Sequence, residues 1–249
     1  MRTTLITMSL AFGLAGAALA DGYEDPKSFS APPPPIWSGW YLGAGVGYGH
    51  AATKDDYVET DGGDVFSSSF DGQAAQGGLV RFMLGVDRQI KEKFVLGVFA
   101  DFDWTDIQQT YTATGDPDFD DINDKLTMEW QWSIGGRAGY LFTPTTMLYF
   151  LAGYTQARFK SDGWYDIYPE FGPFDVLPGK SAVTFSGYVV GFGMETLVGH
   201  NLFLRGEMRY SEFDGEVVNS GTLFGDSFSD SEHPTLLTGM LGLTYKYNH

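Results

Sequence analysis

From Trp37 onward the chain alternates apolar and polar or small residues with a period of two, in runs separated by breaks. A period of two predicts strands, because successive side chains of a strand point to opposite faces. There are eight such runs. The first, Trp40–Tyr48, carries apolar or aromatic residues at even positions and Tyr41, Gly43, Gly45 and Gly47 at odd ones. The second, near Gln76–Val86, sets Val80, Phe82, Leu84 and Val86 opposite Leu79, Arg81, Met83 and Gly85. The third, Phe94–Trp104, sets Phe94, Leu96, Val98, Phe102 and Trp104 against Val95, Gly97, Phe99, Asp101 and Asp103. In the fourth, Met128, Trp130, Trp132, Ile134, Ala138 and Tyr140 oppose Glu129, Gln131, Ser133, Gly135, Arg137 and Gly139.

The fifth run, about Met147–Phe159, admits either phase. Turning Gln156 and Arg158 inward places Tyr149, Leu151, Thr155, Ala157 and Phe159 outward, and that is the expected phase. The sixth opposes Tyr188, Val190, Phe192 and Met194 to Gly187, Val189, Gly191, Gly193 and Glu195. The seventh opposes Leu202, Leu204, Met208 and Tyr210 to Phe203, Arg205, Glu207, Arg209 and Ser211. The eighth opposes Leu237, Leu241, Leu243, Tyr245 and Tyr247 to Thr238, Met240, Gly242, Thr244 and Lys246.

The connections alternate between long and short. His50–Asp71, Thr105–Thr127, Lys160–Ser181 and Asp214–Pro234 are long; Asp87–Lys93, Thr143–Thr146 and Gly199–His200 are short. Short turns at one end and long loops at the other are the habit of outer-membrane barrels. The expected fold is therefore all-β: an eight-stranded antiparallel up-and-down transmembrane β-barrel. A soluble barrel with its apolar face inward is the competing architecture. Glycines crowd the polar face, which suits a narrow interior and makes poor solvent-facing strand. Aromatics sit at both ends of the apolar face, as in the two girdles of a membrane barrel.

The first twenty residues support export. Arg2 precedes an apolar stretch from Leu5 to Ala17, and Ala18-Leu19-Ala20 forms a small-x-small cleavage signal. Residues 1–20 are thus expected to be a signal peptide and 21–36, with Pro32 to Pro35, a Pro-rich periplasmic lead-in. Residues 37–249 form the barrel with four external loops. There is no cysteine, so no disulfide framework holds the exported fold. The net charge of −17 disfavours nucleic acid, whose phosphates would repel it. The four long connections contain twenty-one acidic residues and four lysines, and so account for the whole of that charge.

The inward faces carry charges of both signs. Arg81, Arg137, Arg158, Arg205, Arg209 and Lys246 are expected to pair there with Asp101, Asp103, Glu129, Glu195 and Glu207, because charges in so narrow a space must be compensated. A structural salt-bridge network and the gate of a narrow channel both fit this pattern. The third loop offers Trp164, Tyr165, Tyr168, Phe171 and Phe174 as a contact patch. Asp116, Asp118, Asp120, Asp121 and Asp124 cluster in the second loop but lack the spacing of an EF-hand, so no metal site is assigned. His50, His200, His233 and His249 fall in loops, a turn and the terminus, away from a nucleophile on a barrel face, and no catalytic residue is assigned.

At Trp37-Ser38-Gly39-Trp40-Tyr41-Leu42-Gly43 after the Pro-rich lead, the sequence resembles the small porin-type outer-membrane barrels of alphaproteobacteria, relatives of the OmpA transmembrane domain and the opacity proteins. Gly191-Phe192-Gly193-Met194-Glu195 and Leu204-Arg205-Gly206-Glu207-Met208-Arg209-Tyr210 resemble that family's penultimate hairpin. The resemblance implies outer-membrane lipid, lipopolysaccharide and the assembly machinery as partners, host surface molecules for the loops, and a structural role in the envelope. In some relatives it implies adhesion, haem binding or porin activity. No cofactor is expected. Such proteins usually end on an aromatic residue, whereas Asn248 and His249 follow Tyr247 in this chain.

Overall fold

The computed structural model describes residues 37–61, 64–113, 122–161, 182–223 and 226–247. The expected signal peptide, residues 1–20, and the whole of the expected lead-in, residues 21–36, lie outside the described residues. Nine strands follow one another: β1 Gly39–Asp61, β2 Asp64–Ile90, β3 Phe94–Ala113, β4 Ile122–Thr143, β5 Thr146–Ser161, β6 Ala182–Gly199, β7 Leu202–Phe213, β8 Glu216–Leu223 and β9 Asp226–Tyr247. Each of β1 to β6 pairs antiparallel with the next, β7 pairs with β9, and β9 returns to β1. Eight strands therefore close into a barrel, with Trp40 opposite Tyr247 at the seam. Closure leaves no unpaired edge in the wall, the condition a sheet must meet to cross hydrocarbon.

The short connections are as short as expected: Lys91–Lys93, Pro144–Thr145 and His200–Asn201. Lys91 and Asn201 take positive φ of 60° and 59° to reverse the chain. Three of the long connections differ from expectation, and residues 162–181 of the third lie outside the described residues. Strand pairing carries on through most of those three, so that β1 and β2 stay paired from Gly39↔Asp87 to Asp61↔Asp64. β8 binds β9 above the point where β7 leaves it, and Thr60 still faces Ser227. Beyond the barrel wall, β2, β1, β9 and β8 thus form a four-stranded sheet. The sequence hid this because the extension lacks an apolar period: Asp64–Ser69 of β2, for example, are exposed on both phases.

Seven of the eight runs keep their expected faces over the membrane-crossing stretch. The fifth is reversed: Tyr149, Leu151, Thr155, Ala157 and Phe159 are buried inside, while Leu148 and Phe150 face outward, Phe150 at 74% exposure. Met128 also points inward, because a bulge between Met128 and Trp130 shifts the phase of β4 at Glu129. Such an extra residue moves every side chain beyond it to the other face.

Inward glycines make room for two tyrosines. A Cβ on Gly85 would collide with Tyr41 Oη and lie 2.5 Å from the carbonyl oxygen of Val98; a Cβ on Gly193 would collide with Tyr149 Oη. Each tyrosine lies flat over the glycine directly opposite it in the neighbouring strand. Outward-facing Gly78 has open space where its Cβ would be. Gly85→Ala is therefore expected to destabilise the barrel by about 1–3 kcal/mol, as overpacking does, and Gly78→Ala by no more than ~0.5 kcal/mol. Urea unfolding of the refolded variants in lipid vesicles measures both.

Candidate functional site

Ten charged side chains are buried in the barrel interior: Arg81, Arg137, Arg205, Arg209 and Lys246 with Asp87, Asp101, Asp103, Glu195 and Glu207. The ten sum to zero. Each projects from the inward phase of its strand, so the two-residue period that builds the wall also delivers the network.

Toward the short turns lies a group built on two carboxylates. Asp87 accepts from Arg137 through both oxygens, at 2.8 Å from Nε in one arm, and from Lys246 Nζ at 2.9 Å. Glu195 Oε2 accepts from Arg205 Nη2 at 2.9 Å and Arg137 Nη1 at 3.2 Å, while Oε1 accepts from Thr244 Oγ1 at 3.0 Å and faces Lys246 Nζ at 3.1 Å. The guanidinium groups of Arg137 and Arg205 lie over the Tyr41 ring, 4.3 and 4.8 Å from its centre. This group carries three cations and two anions.

Farther from the turns, Arg81 forks onto Asp103 with two bonds of 2.6 Å and reaches Glu207 Oε1 at 2.8 Å. Arg209 bonds Glu207 Oε1 at 2.6 Å and Asp101 Oδ2 at 2.7 Å. This second group carries two cations and three anions. Tyr149 joins the two. Its hydroxyl donates to Glu207 Oε2 at 2.5 Å, and its ring lies 5.2 Å from the Arg137 guanidinium and 5.6 Å from that of Arg205. Charge-assisted bonds of this kind are about twice as strong as neutral ones, and the bidentate forks add directional constraint.

Apolar and neutral layers bound the network. At the short-turn end Trp37 is fully buried against Phe203, donates its indole N–H to the Pro144 carbonyl and lies under Lys246 Nζ. Val95, Leu141 and Met147 continue that cluster along the wall. On the other side Gln131 donates to Thr155 Oγ1 and Ser211 Oγ. Beyond these comes a second cluster: Ala51, Ala75, Ile107, Met128, Ala157, Phe159, Phe185, Phe213 and Leu236. Every one of the eight wall strands contributes to it.

Of the expected interior charges, Arg81, Asp101, Asp103, Arg137, Glu195, Arg205, Glu207, Arg209 and Lys246 meet in the lumen. Glu129 and Arg158 do not, and their assignment is corrected. They pair at 3.0 Å with side chains 40% and 45% exposed, Glu129 at the β4 bulge and Arg158 on the outward phase of β5. Asp87 joins the network although the apolar run ends one residue before it, because it continues the inward phase of Arg81, Met83 and Gly85. The patch Trp164, Tyr165, Tyr168, Phe171 and Phe174 lies outside the described residues, as do Asp116, Asp118, Asp120 and Asp121. His50 and His233 stand on strand rather than loop, both exposed; His233 Nε2 lies 3.6 Å from Asp56 Oδ2. Lys54 also pairs with Asp56, at 3.2 Å, and its hydrogen bond holds that carboxyl below the usual carboxylate range.

A family model described as the outer membrane protein beta-barrel domain matches residues 27–247. The chain belongs to the outer membrane protein β-barrel domain family. It is 24% identical over 249 residues to the 31 kDa outer-membrane immunogenic proteins of Brucella melitensis biotype 1 and Brucella suis biovar 1, across 98% of this chain and 99% of theirs. Among solved structures it is similar to OprG of Pseudomonas aeruginosa, at 11% identity and a TM-score of 0.49 over 86% of this chain and 98% of that one. Neisserial surface protein A is similar at 18% identity and a TM-score of 0.40, over 80% and 97%.

In this outer-membrane barrel the inner and outer-face ion pairs differ sharply in what they contribute. Removing one partner of a buried pair strands the others without solvent, at a cost of about 3–5 kcal/mol; exposed pairs contribute about 0–1 kcal/mol. Arg137→Ala is therefore expected to lower the urea midpoint strongly, and Arg158→Ala hardly at all. Equal effects of the two substitutions contradict an interior Arg137 and an outward Arg158.

Proposed function

We propose that the protein is a structural barrel of the outer membrane with a sealed lumen, and that its hairpin extensions face outside the cell while the short turns face the periplasm. One observation carries the reading: a neutral set of ten buried charges lies between buried Trp37 and a ring of buried apolar side chains drawn from all eight wall strands. An eight-stranded interior is just wide enough for side chains to fill, and a continuous pore through it requires these groups to part. The acidic residues of the extensions supply a repulsive, hydrated surface toward other anionic surfaces.

Planar-bilayer recording of the refolded chain tests the seal. Baseline current is expected for the wild type and also for Glu195→Gln, since the apolar layers at both ends stay in place. A stable conducting state in the wild type overturns the reading and favours a diffusion channel. Labelling of Ser67→Cys in intact cells by a membrane-impermeant maleimide tests the orientation, with full labelling expected; protection of that thiol contradicts it.

A further inference from the structure

Outside the lumen, six cationic side chains are described: Lys54, Arg88, Lys91, Lys93, Arg158 and Lys160. Three of them share one turn, at the end of the barrel opposite the acidic extensions. Arg88 stands on the outward phase of β2, and Lys91 and Lys93 lie in the turn itself; all three are exposed. Their only acidic neighbour in the turn is Glu92, for Asp87 is turned inward and taken by Arg137 and Lys246. The segment from Arg88 to Lys93 therefore has a net charge of +2 in a chain of −17. The other two turns, Pro144–Thr145 and His200–Asn201, contain neither lysine nor arginine.

The turn is held in shape. The Gln89 backbone N–H donates to Ser38 Oγ at 3.0 Å, and Gln89 Nε2 donates to the Glu92 carbonyl at 3.0 Å. It also sits at membrane-interface depth. Lys93 Nζ lies 5.9 Å over the outward-facing Tyr140 ring, which packs edge-on against Phe94 at 5.6 Å. Tyrosine and phenylalanine on the lipid face next to a turn mark the headgroup boundary.

We infer that the Arg88, Lys91 and Lys93 turn is a binding site for the phosphodiester headgroups of anionic phospholipids in the periplasmic leaflet. This rests on the orientation proposed above. Cations beside a membrane surface attract anionic lipid, each favouring it by roughly fivefold before screening. Arg88 stands on the outward face of β2, Lys93 over the outward Tyr140 ring and Lys91 in the turn between them, so all three cations are presented at the headgroup boundary. The arrangement selects net-negative headgroups over zwitterionic ones, because the latter present an equal positive charge to the same three cations.

The test uses the full mature chain refolded into vesicles of equal phosphatidylglycerol and phosphatidylcholine, then extracted in mild detergent. Mass spectrometry counts the lipid that stays bound. Phosphatidylglycerol enrichment of about tenfold over the bulk ratio is expected for the wild type, falling to the bulk ratio in Arg88→Gln/Lys91→Gln/Lys93→Gln and unchanged in Lys54→Gln. Heat-dependent gel mobility checks that each variant is folded. A wild type without enrichment, or a folded triple variant that keeps it, overturns the site. The leaflet is read separately from Glu92→Cys, which an impermeant maleimide should reach only after the outer membrane is permeabilised. Labelling in intact cells overturns the leaflet assignment and the orientation together, whatever the lipid count shows.

Discussion

The structure turns on one constraint: charges that leave water must be matched where they come to rest. A barrel of eight strands gives its interior too little space for bulk solvent, and an unpaired ion there costs several kcal/mol even after relaxation. The five cations and five anions meet that constraint as a set. Neither half of the network is neutral alone. The group nearer the turns has one cation too many and the group beyond it one anion too many, so attraction between the halves ties the layers along the axis. Tyr149 sits at the join, giving a hydrogen bond to the anionic half and a ring face to the cationic one.

The wall makes this possible by what it omits. Glycine at inward positions lets long arginine and tyrosine side chains lie across the lumen, and the close fit of Tyr41 over Gly85 and Tyr149 over Gly193 turns an absent side chain into a seat for a large one. The outward face needs no such fitting. Leu42, Val46, Phe82, Leu96, Phe150 and Leu241 are exposed as acyl chains require, and in water the same surface would be a liability for aggregation. Fold, membrane location and interior chemistry therefore follow from a single alternation read on its two phases.

Much of this is legible in the chain alone, and the failures have physical causes. Seven strand phases are unambiguous because Gly, Arg and Glu on one side oppose Leu, Val and Phe on the other. β5 is not: Leu148 and Phe150 compete with Tyr149 and Leu151, and the polar residues that favour the wrong phase, Gln156 and Arg158, lie at a depth where an outward side chain already meets polar surroundings. The Glu129 bulge is invisible to any count of two, since an inserted residue leaves each flanking run intact. Asp87 escapes because an acidic residue after an apolar run reads as the start of a turn, whereas β2 continues past it to Ile90. The tyrosine seats leave no trace at all, for a glycine's partner is fixed by strand register across the barrel, which local spacing does not encode.

The central claim, that the interior ions act as coupled pairs bracing the wall, is tested most directly by a double-mutant cycle at Arg81 and Asp103. Arg81→Met, Asp103→Leu and the double variant are unfolded in urea from lipid vesicles and compared with the wild type. Each single change is expected to cost about 3 kcal/mol or more, because Arg81→Met leaves Asp103 without its cation and Asp103→Leu leaves Arg81 with Glu207 alone, and the double change less than the sum by at least about 2 kcal/mol. Additive losses, with the double variant as unstable as the two singles together, contradict the account.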